Sequence, residues 1–241
     1  MTEDIEQILI ARPLPAALCA HVVDLGAGGE EAPLASLARQ PYRCRMSSSA
    51  PARHVATVED LLAIPEAERF HEIINGDLVR RPMPSGPHGR VQFRLATEIG
   101  GPYDRRAGRG GPGGWIFATE VEIRFEPDNI FRPDVAAWRR DRLARLPQES
   151  PLDVRPDWVC EILSPSNKQN DLFKKLRTYQ RCKVAHSWII DPDAEALAVY
   201  RWTADGYLLV LTADSRERVR PEPFDAVELS VHGLIGGDEE D

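Results

Sequence analysis

From residue 57 onward, hydrophobic positions switch between a helical and a two-residue period, and the switches predict the elements. Thr57-Val-Glu-Asp60 has a capping-box pattern and opens a short helix running toward Ala67. Residues 70–74 and 77–80 flank Asn75-Gly76, a dipeptide suited to the positive φ angles of a two-residue hairpin turn. From His88 to about Tyr103, Val91, Leu95 and Ile99 recur at helical spacing. Strands are predicted over 115–125, 131–138 and 158–164, then a helix over 170–182 and a strand over 186–191. A final hairpin, 196–202 and 207–212, turns at Ala204-Asp-Gly206. The core order α-β-β-β-α-β, with a hairpin added at each end, predicts an α/β fold with a mixed central sheet flanked by helices.

The flanks lack such a pattern. Residues 1–54 are rich in Ala, Pro and Gly and, apart from a short helical stretch near 5–11, read as a disordered extension. Met46 heads a Ser-Ser-Ser-Ala-Pro run just before the first element, so a start at Met1 and one at Met46 both fit the pattern. Residues 236–241 form an acidic tail, which leaves 55–235 as one domain. With 241 residues, 42% of them hydrophobic, the chain suffices for one well-buried core. Its net charge of -8 gives no general attraction to a polyanion, so nucleic-acid binding must use local basic surface. The four cysteines, Cys19, Cys44, Cys160 and Cys182, show no C-x-x-C spacing and read as reduced thiols of a cytoplasmic protein. The acidic start is unlike a signal peptide, and no apolar run approaches the ~18 residues of a membrane span.

The candidate chemistry lies in three places: Asp134, Glu161 and the lysine-rich segment after it. Of four Pro-Asp pairs, three are set aside. Asp128 lies in a hairpin turn and Asp193 in a loop. Asp157 is four residues from Glu161 on one strand, roughly 13 Å away, too far to share an ion. Asp134 heads an apolar strand that can pair beside the one bearing Glu161. Glu161 lies in Trp158-Val-Cys-Glu-Ile-Leu163, a run apolar on both faces, where a bare carboxylate is costly and needs a cation, a proton or a lysine; a buried salt bridge satisfies that need equally well. On the following helix, Leu172, Phe173, Leu176 and Tyr179 form one apolar arc. Lys175 falls about 90° from its centre and Lys174 nearly opposite, so Lys175 can reach the sheet. Lys174, Arg177, Arg181 and Lys183 then make the helix locally basic, as phosphate contacts require, with Arg105, Arg106 and Arg109 of the Gly-rich loop as a second candidate clamp.

Phe131-Arg-Pro-Asp134, Glu161-Ile-Leu-Ser-Pro-Ser166, Asp171 to Tyr179 and Ser187 to Pro192 resemble, in this order, the Uma-type endonucleases of bacteria, within the restriction-endonuclease-like PD-(D/E)xK superfamily. Phe70 to Asp77 and Pro84 to His88 match the entry hairpin and helix start of that family, and the likeness covers about residues 57–232. It implies a Mg²⁺-dependent nuclease, with Mn²⁺ as a substitute, in which Asp134 and Glu161 hold the metal. Lys175 is then the positioned cation and Glu72 an auxiliary acid. The superfamily's usual lysine, two residues after the Glu, is Leu163 here, which moves that role to the next helix. Cys182 stands where the family usually carries a glycine before Val184. His88 reads as a hydrogen-bonder at a loop end and Glu98 as a reserve carboxylate. The expected substrate is nucleic acid, DNA above all, for a cytoplasmic enzyme able to form a homodimer. The competing reading is a non-catalytic module of the same fold that binds nucleic acid or a protein partner.

Overall fold

Two of the predicted strands are cut in half, and the cuts decide where the site forms. The structure is a computed structural model that describes residues 54–108, 110–164 and 170–237. The extension assigned to 1–54, His54 aside, the acidic residues beyond 237 and Arg109 lie outside them.

The segment expected as one strand over 115–125 forms β3 (Trp115–Thr119) and β4 (Ile123–Glu126), and that over 131–138 forms β5 (Asn129–Phe131) and β6 (Val135–Arg139). β3 pairs antiparallel with β6 and β4 with β5, in registers Thr119↔Val135 and Ile123↔Phe131. The four pieces are thus one ribbon bent at Glu120–Glu122 and, facing it, at Arg132–Asp134. Two local causes coincide at the bend. Pro133 has no N–H to give a ladder, and Glu120 takes a positive φ of 56°. Beyond the bend the ribbon leaves the first sheet and joins a second.

The first sheet has six strands in the order β10-β9-β8-β7-β6-β3, where β7 is Trp158–Ile162, β8 His186–Asp191, β9 Ala196–Thr203 and β10 Gly206–Asp214. Only β7 and β8 run parallel, joined by the helical crossover between them, so the sheet is mixed. The second sheet, β2-β1-β5-β4, takes in the hairpin of β1 (His71–Ile74) and β2 (Asp77–Arg80). That hairpin turns at Asn75 and Gly76, with φ of 51° and 76°. A Cβ on Gly76 would also stand 2.7 Å from Val55, so the turn requires glycine twice over. A two-stranded pair, β11 (Arg218–Val219) with β12 (Leu229–Ser230), completes the strands.

The helices are more broken than their periodicity predicts. The capping box at Thr57 is present, but α1 covers only Val58–Leu62, because Pro65 intervenes and residues 66–68 form a separate 3-10 turn. α2 (Gly86–Leu95) starts under a Ser85 cap, passes through a π turn over Ala96–Gly100 and ends as α3 (Gly101–Tyr103). Buried His88, Val91, Leu95, Ile99 and Tyr103 still share one side. α4 (Leu176–Arg181) follows a π turn over Asn170–Lys175, and α5 (Val231–Ile235) ends the fold at Gly236.

Alternation along β7 sorts the core. Trp158, Cys160 and Ile162 pack with Val91, Leu95, Ile99, Trp188 and Phe224, while Val159 packs with Ile74, Phe131, Trp138 and Tyr179. The central sheet is therefore covered by α2, α3 and α5 on one face and by the second sheet and α4 on the other. Glu161 shares the parity of Val159 and faces the second side. Cys160 and Cys182 are free thiols, and among the described residues no helix is long and apolar enough to cross a membrane.

Candidate active site

The register Val135↔Cys160 places Asp134 across from Glu161 on antiparallel neighbours, so the carboxylates meet at the ribbon's bend. Both are buried, as are Glu72 and Lys175, each at 3% exposure or less. Lys175 Nζ lies 3.0 Å from Glu72 Oε1 and 3.3 Å from Glu161 Oε2, above the Phe131 ring at 5.8 Å. One helical turn on, the Tyr179 hydroxyl donates to Glu161 Oε1, so α4 grips both oxygens of one carboxylate with an i, i+4 pair.

The helix does this with a different face from the one its hydrophobicity predicts. Phe173, assigned to the apolar arc, is 57% exposed, and the buried stripe is Lys175, Thr178 and Tyr179. Lys175 is at the centre of the buried face, not at its edge. Two effects move it. The π turn over 170–175 winds more residues per turn than the 100° step assumes, and burying an ammonium between two carboxylates competes with burying Phe173. Lys174 is exposed, on the outer side.

Asp134 is held from three sides. Its Oδ2 accepts from the Ile162 backbone N–H at 2.7 Å and lies 3.2 Å from His88 Nε2, and its Oδ1 accepts from Arg81 Nη2 at 3.0 Å. Burial pushes the Asp134 carboxyl up, but the His88 hydrogen bond and the charges of His88, Arg81 and Lys175 outweigh it and hold the group below its ordinary value. The same contact raises His88 against the opposing effect of its burial. Arg81, the start of the chain's exit from β2, also pairs with Glu120 and lies 3.8 Å from Glu72. Burial works against its charge, yet the three carboxylates raise it further above its ordinary value. Gln92 donates to the Asp134 carbonyl at 2.8 Å. Arg81, Gln92, Glu120 and Tyr179 were not among the residues singled out from sequence for the site. Glu120 had one faint signal, in that it and Glu122 are charged residues set among the apolar positions between Ile116 and Ile123.

Four carboxylates, Glu72, Glu120, Asp134 and Glu161, thus face two permanent cations, Arg81 and Lys175. The hard oxygen donors of Asp134 and Glu161, facing each other across paired strands, fit a divalent cation. No group of three or more His, Cys, Asp or Glu side chains among the described residues is placed to cage one. Two carboxylates with water or phosphate oxygens completing the shell is the mode suited to Mg²⁺.

The other candidates lie elsewhere. Arg181 pairs with Glu126 through Nε at 3.0 Å and Nη2 at 2.6 Å, which offsets its charge. Arg177 is exposed, and Lys183, at a positive φ of 57°, holds its Nζ 5.6 Å over Trp202. Arg105 donates to the Gly101 carbonyl, and Arg106 lines a cleft beside Arg139, at the far end of β6, about 16 Å along the strand from Asp134. Glu98 pairs with Arg94 on its own helix, and Asp157 accepts from Arg142 and the Arg139 backbone.

The Uma2 family model, described as "putative restriction endonuclease", matches residues 58–232, most of the chain. The chain belongs to the Uma2 family. A solved structure, titled a "putative nuclease belonging to DUF820" from Anabaena variabilis, shares 26% identity and superposes with a TM-score of 0.59, covering 75% of this chain and 97% of its own. No curated protein matches the sequence. Family membership and this likeness support a nuclease of mixed α/β fold, and the Uma2 match spans every element from β1 to α4 that contributes to the carboxylate cluster.

Proposed function

We propose that this chain is a Mg²⁺-dependent endonuclease of the PD-(D/E)xK type that hydrolyses phosphodiester bonds of DNA. The observation that carries the reading is Lys175, fully buried between Glu161 and Glu72 and beside the Asp134 carboxylate. An ammonium costs several kcal/mol to bury, and here it is buried beside Asp134 and Glu161, two hard oxygen donors that face each other across paired strands. Asp134 and Glu161 would hold the ion, with Mn²⁺ able to replace it. Such an ion, when bound, polarises the scissile phosphate and lowers the pKa of a water. Lys175 then lies ready to stabilise charge developing on a phosphoryl oxygen, a preorganised donor in a site screened from solvent. Glu72, fixed by the Arg132 backbone N–H at 2.6 Å, keeps the ammonium in place between reactions. Tyr179 and the Ile162 N–H orient the two carboxylates. Nicking of supercoiled plasmid tests the reading: cleavage with Mg²⁺, none with EDTA and none by Glu161→Ala is expected. Equal nicking by wild type and Glu161→Ala would overturn it.

A further inference from the structure

We infer that Arg132 binds a phosphate of the substrate strand next to the bond being cut, and so is a positioning residue of this site; the inference rests on the nuclease reading above. Arg132 stands at the ribbon's bend, two residues before Asp134. Its Nε donates to the Glu120 carbonyl and its Nη1 to the Arg69 carbonyl, both at 3.0 Å. Two neutral acceptors therefore fix the guanidinium in place without cancelling its charge. Other arginines differ. Arg81 meets carboxylates, Arg69 lies 3.4 Å from Glu122, and Arg181 is tied to Glu126. Among the described residues Arg132 meets no carboxylate with its side chain. A guanidinium carries five N–H donors, so those that remain present a charged fork suited to a phosphate.

Arg132 lines two clefts, of about 370 and 320 Å³. The smaller sets four carboxylates, Glu66, Glu120, Glu122 and Glu149, against Arg69 and Arg132 and repels a phosphate backbone. The larger sets Arg81 and His88, with Glu120 paired to Arg81 as its one carboxylate, beside Phe70, Pro82 and Met83, a floor of basic side chains with an apolar wall, with Met83 68% exposed. That pairing suits a nucleotide, whose phosphate is anionic and whose base and sugar have apolar faces. The strand is therefore placed in the 370 Å³ cleft, with one phosphate on Arg132.

The test uses the full chain, DNA oligonucleotides carrying a single uncharged methylphosphonate at successive positions, and the variants Arg132→Gln and Arg132→Lys. Arg132→Gln should raise KM roughly 10- to 100-fold, as for loss of charge-assisted hydrogen bonds, with a smaller change in kcat. Arg132→Lys should recover part of the loss. One methylphosphonate position should weaken wild type and leave Arg132→Gln no worse. Binding followed by fluorescence anisotropy in EDTA should show the slope of log affinity against log salt reduced by about 0.9 on duplex or about 0.7 on a single strand. Equal methylphosphonate penalties in wild type and Arg132→Gln, or an unchanged slope, would overturn the inference. If Arg132→Gln melts early, the same comparison is made with Arg132→Lys, whose changed penalty pattern supports the contact and whose unaltered one refutes it. Absence of cleavage by wild type under every metal would refute the nuclease reading instead, and the anisotropy arm would still decide on Arg132.

Discussion

At the scale of single residues, the site is a set of buried charges each of which has a job that a substitution exposes. Lys175→Met leaves Glu72 and Glu161 facing each other without their cation. It is expected to lower cleavage by roughly 10² to 10³ and to cost about 3–5 kcal/mol of stability in the absence of metal. Lys174→Met, on the exposed side, should change stability little and at most weaken binding; plasmid nicking and urea unfolding on both variants separate the two. Tyr179→Phe removes the hydroxyl that donates to Glu161. It should destabilise by about 1.5–3 kcal/mol and lower Mn²⁺ affinity, because the carboxylate loses the group that orients it. Melting and calorimetry on the same samples check both effects. Asp134→Asn should abolish calorimetric Mn²⁺ binding, and equal binding by wild type and variant would remove Asp134 from the metal site.

At the scale of elements, α4 shows how a helix can present a face that its hydrophobicity does not choose. Lys175 and Tyr179 sit one turn apart, and the Glu161 carboxylate selects that pair over Phe173. The same helix ends on the Arg181–Glu126 pair. Its hydrogen bond to Arg181 holds the Glu126 carboxyl below its ordinary 4.5. A depressed carboxylate stabilises the fold above the unfolded value, and that contribution disappears as pH falls through the folded one. Both partners are partly exposed, so Arg181→Gln should destabilise by less than about 1 kcal/mol at pH 7. Urea unfolding at pH 7 and pH 3 should show that difference shrink at the lower pH. In DNA binding, charge reversal at Arg177 should reduce the salt slope more than reversal at Arg181, whose charge Glu126 already meets.

At the scale of the whole molecule, the facing Asp134 and Glu161 carboxylates at the junction of the two sheets predict that divalent metal stabilises the folded state. Free Mn²⁺ at 100 times its dissociation constant should add about 2.7 kcal/mol, read as a rise in Tm that Glu161→Gln loses; an equal rise in both proteins would place the ion elsewhere. How far the sequence reached follows from the range over which each feature is encoded. The hairpin at Asn75-Gly76, the apolar face of the helix read from His88, the buried run around Glu161 and the candidacy of Asp134, Glu161, Lys175 and Glu72 were legible. They rest on local backbone preference, on periodicity and on the cost of a charge inside an apolar run, supplemented by a family likeness in motif order. The corner was not. The strand-like pattern over 115–125, although Glu120 and Glu122 interrupt it, does not show that the ribbon changes sheets, because the break depends on Pro133 on one strand facing Glu120 on the other. Nor does a helical wheel show that Lys175 outcompetes Phe173, since the competing carboxylates come from Glu72 and Glu161. The contact of Arg81 with Asp134 spans 53 residues and that of the Arg132 backbone with Glu72 spans 60. Sequence by itself determined which charges would need partners; only the pairing of strands, which brings distant residues within a few ångströms, decided which partners they found.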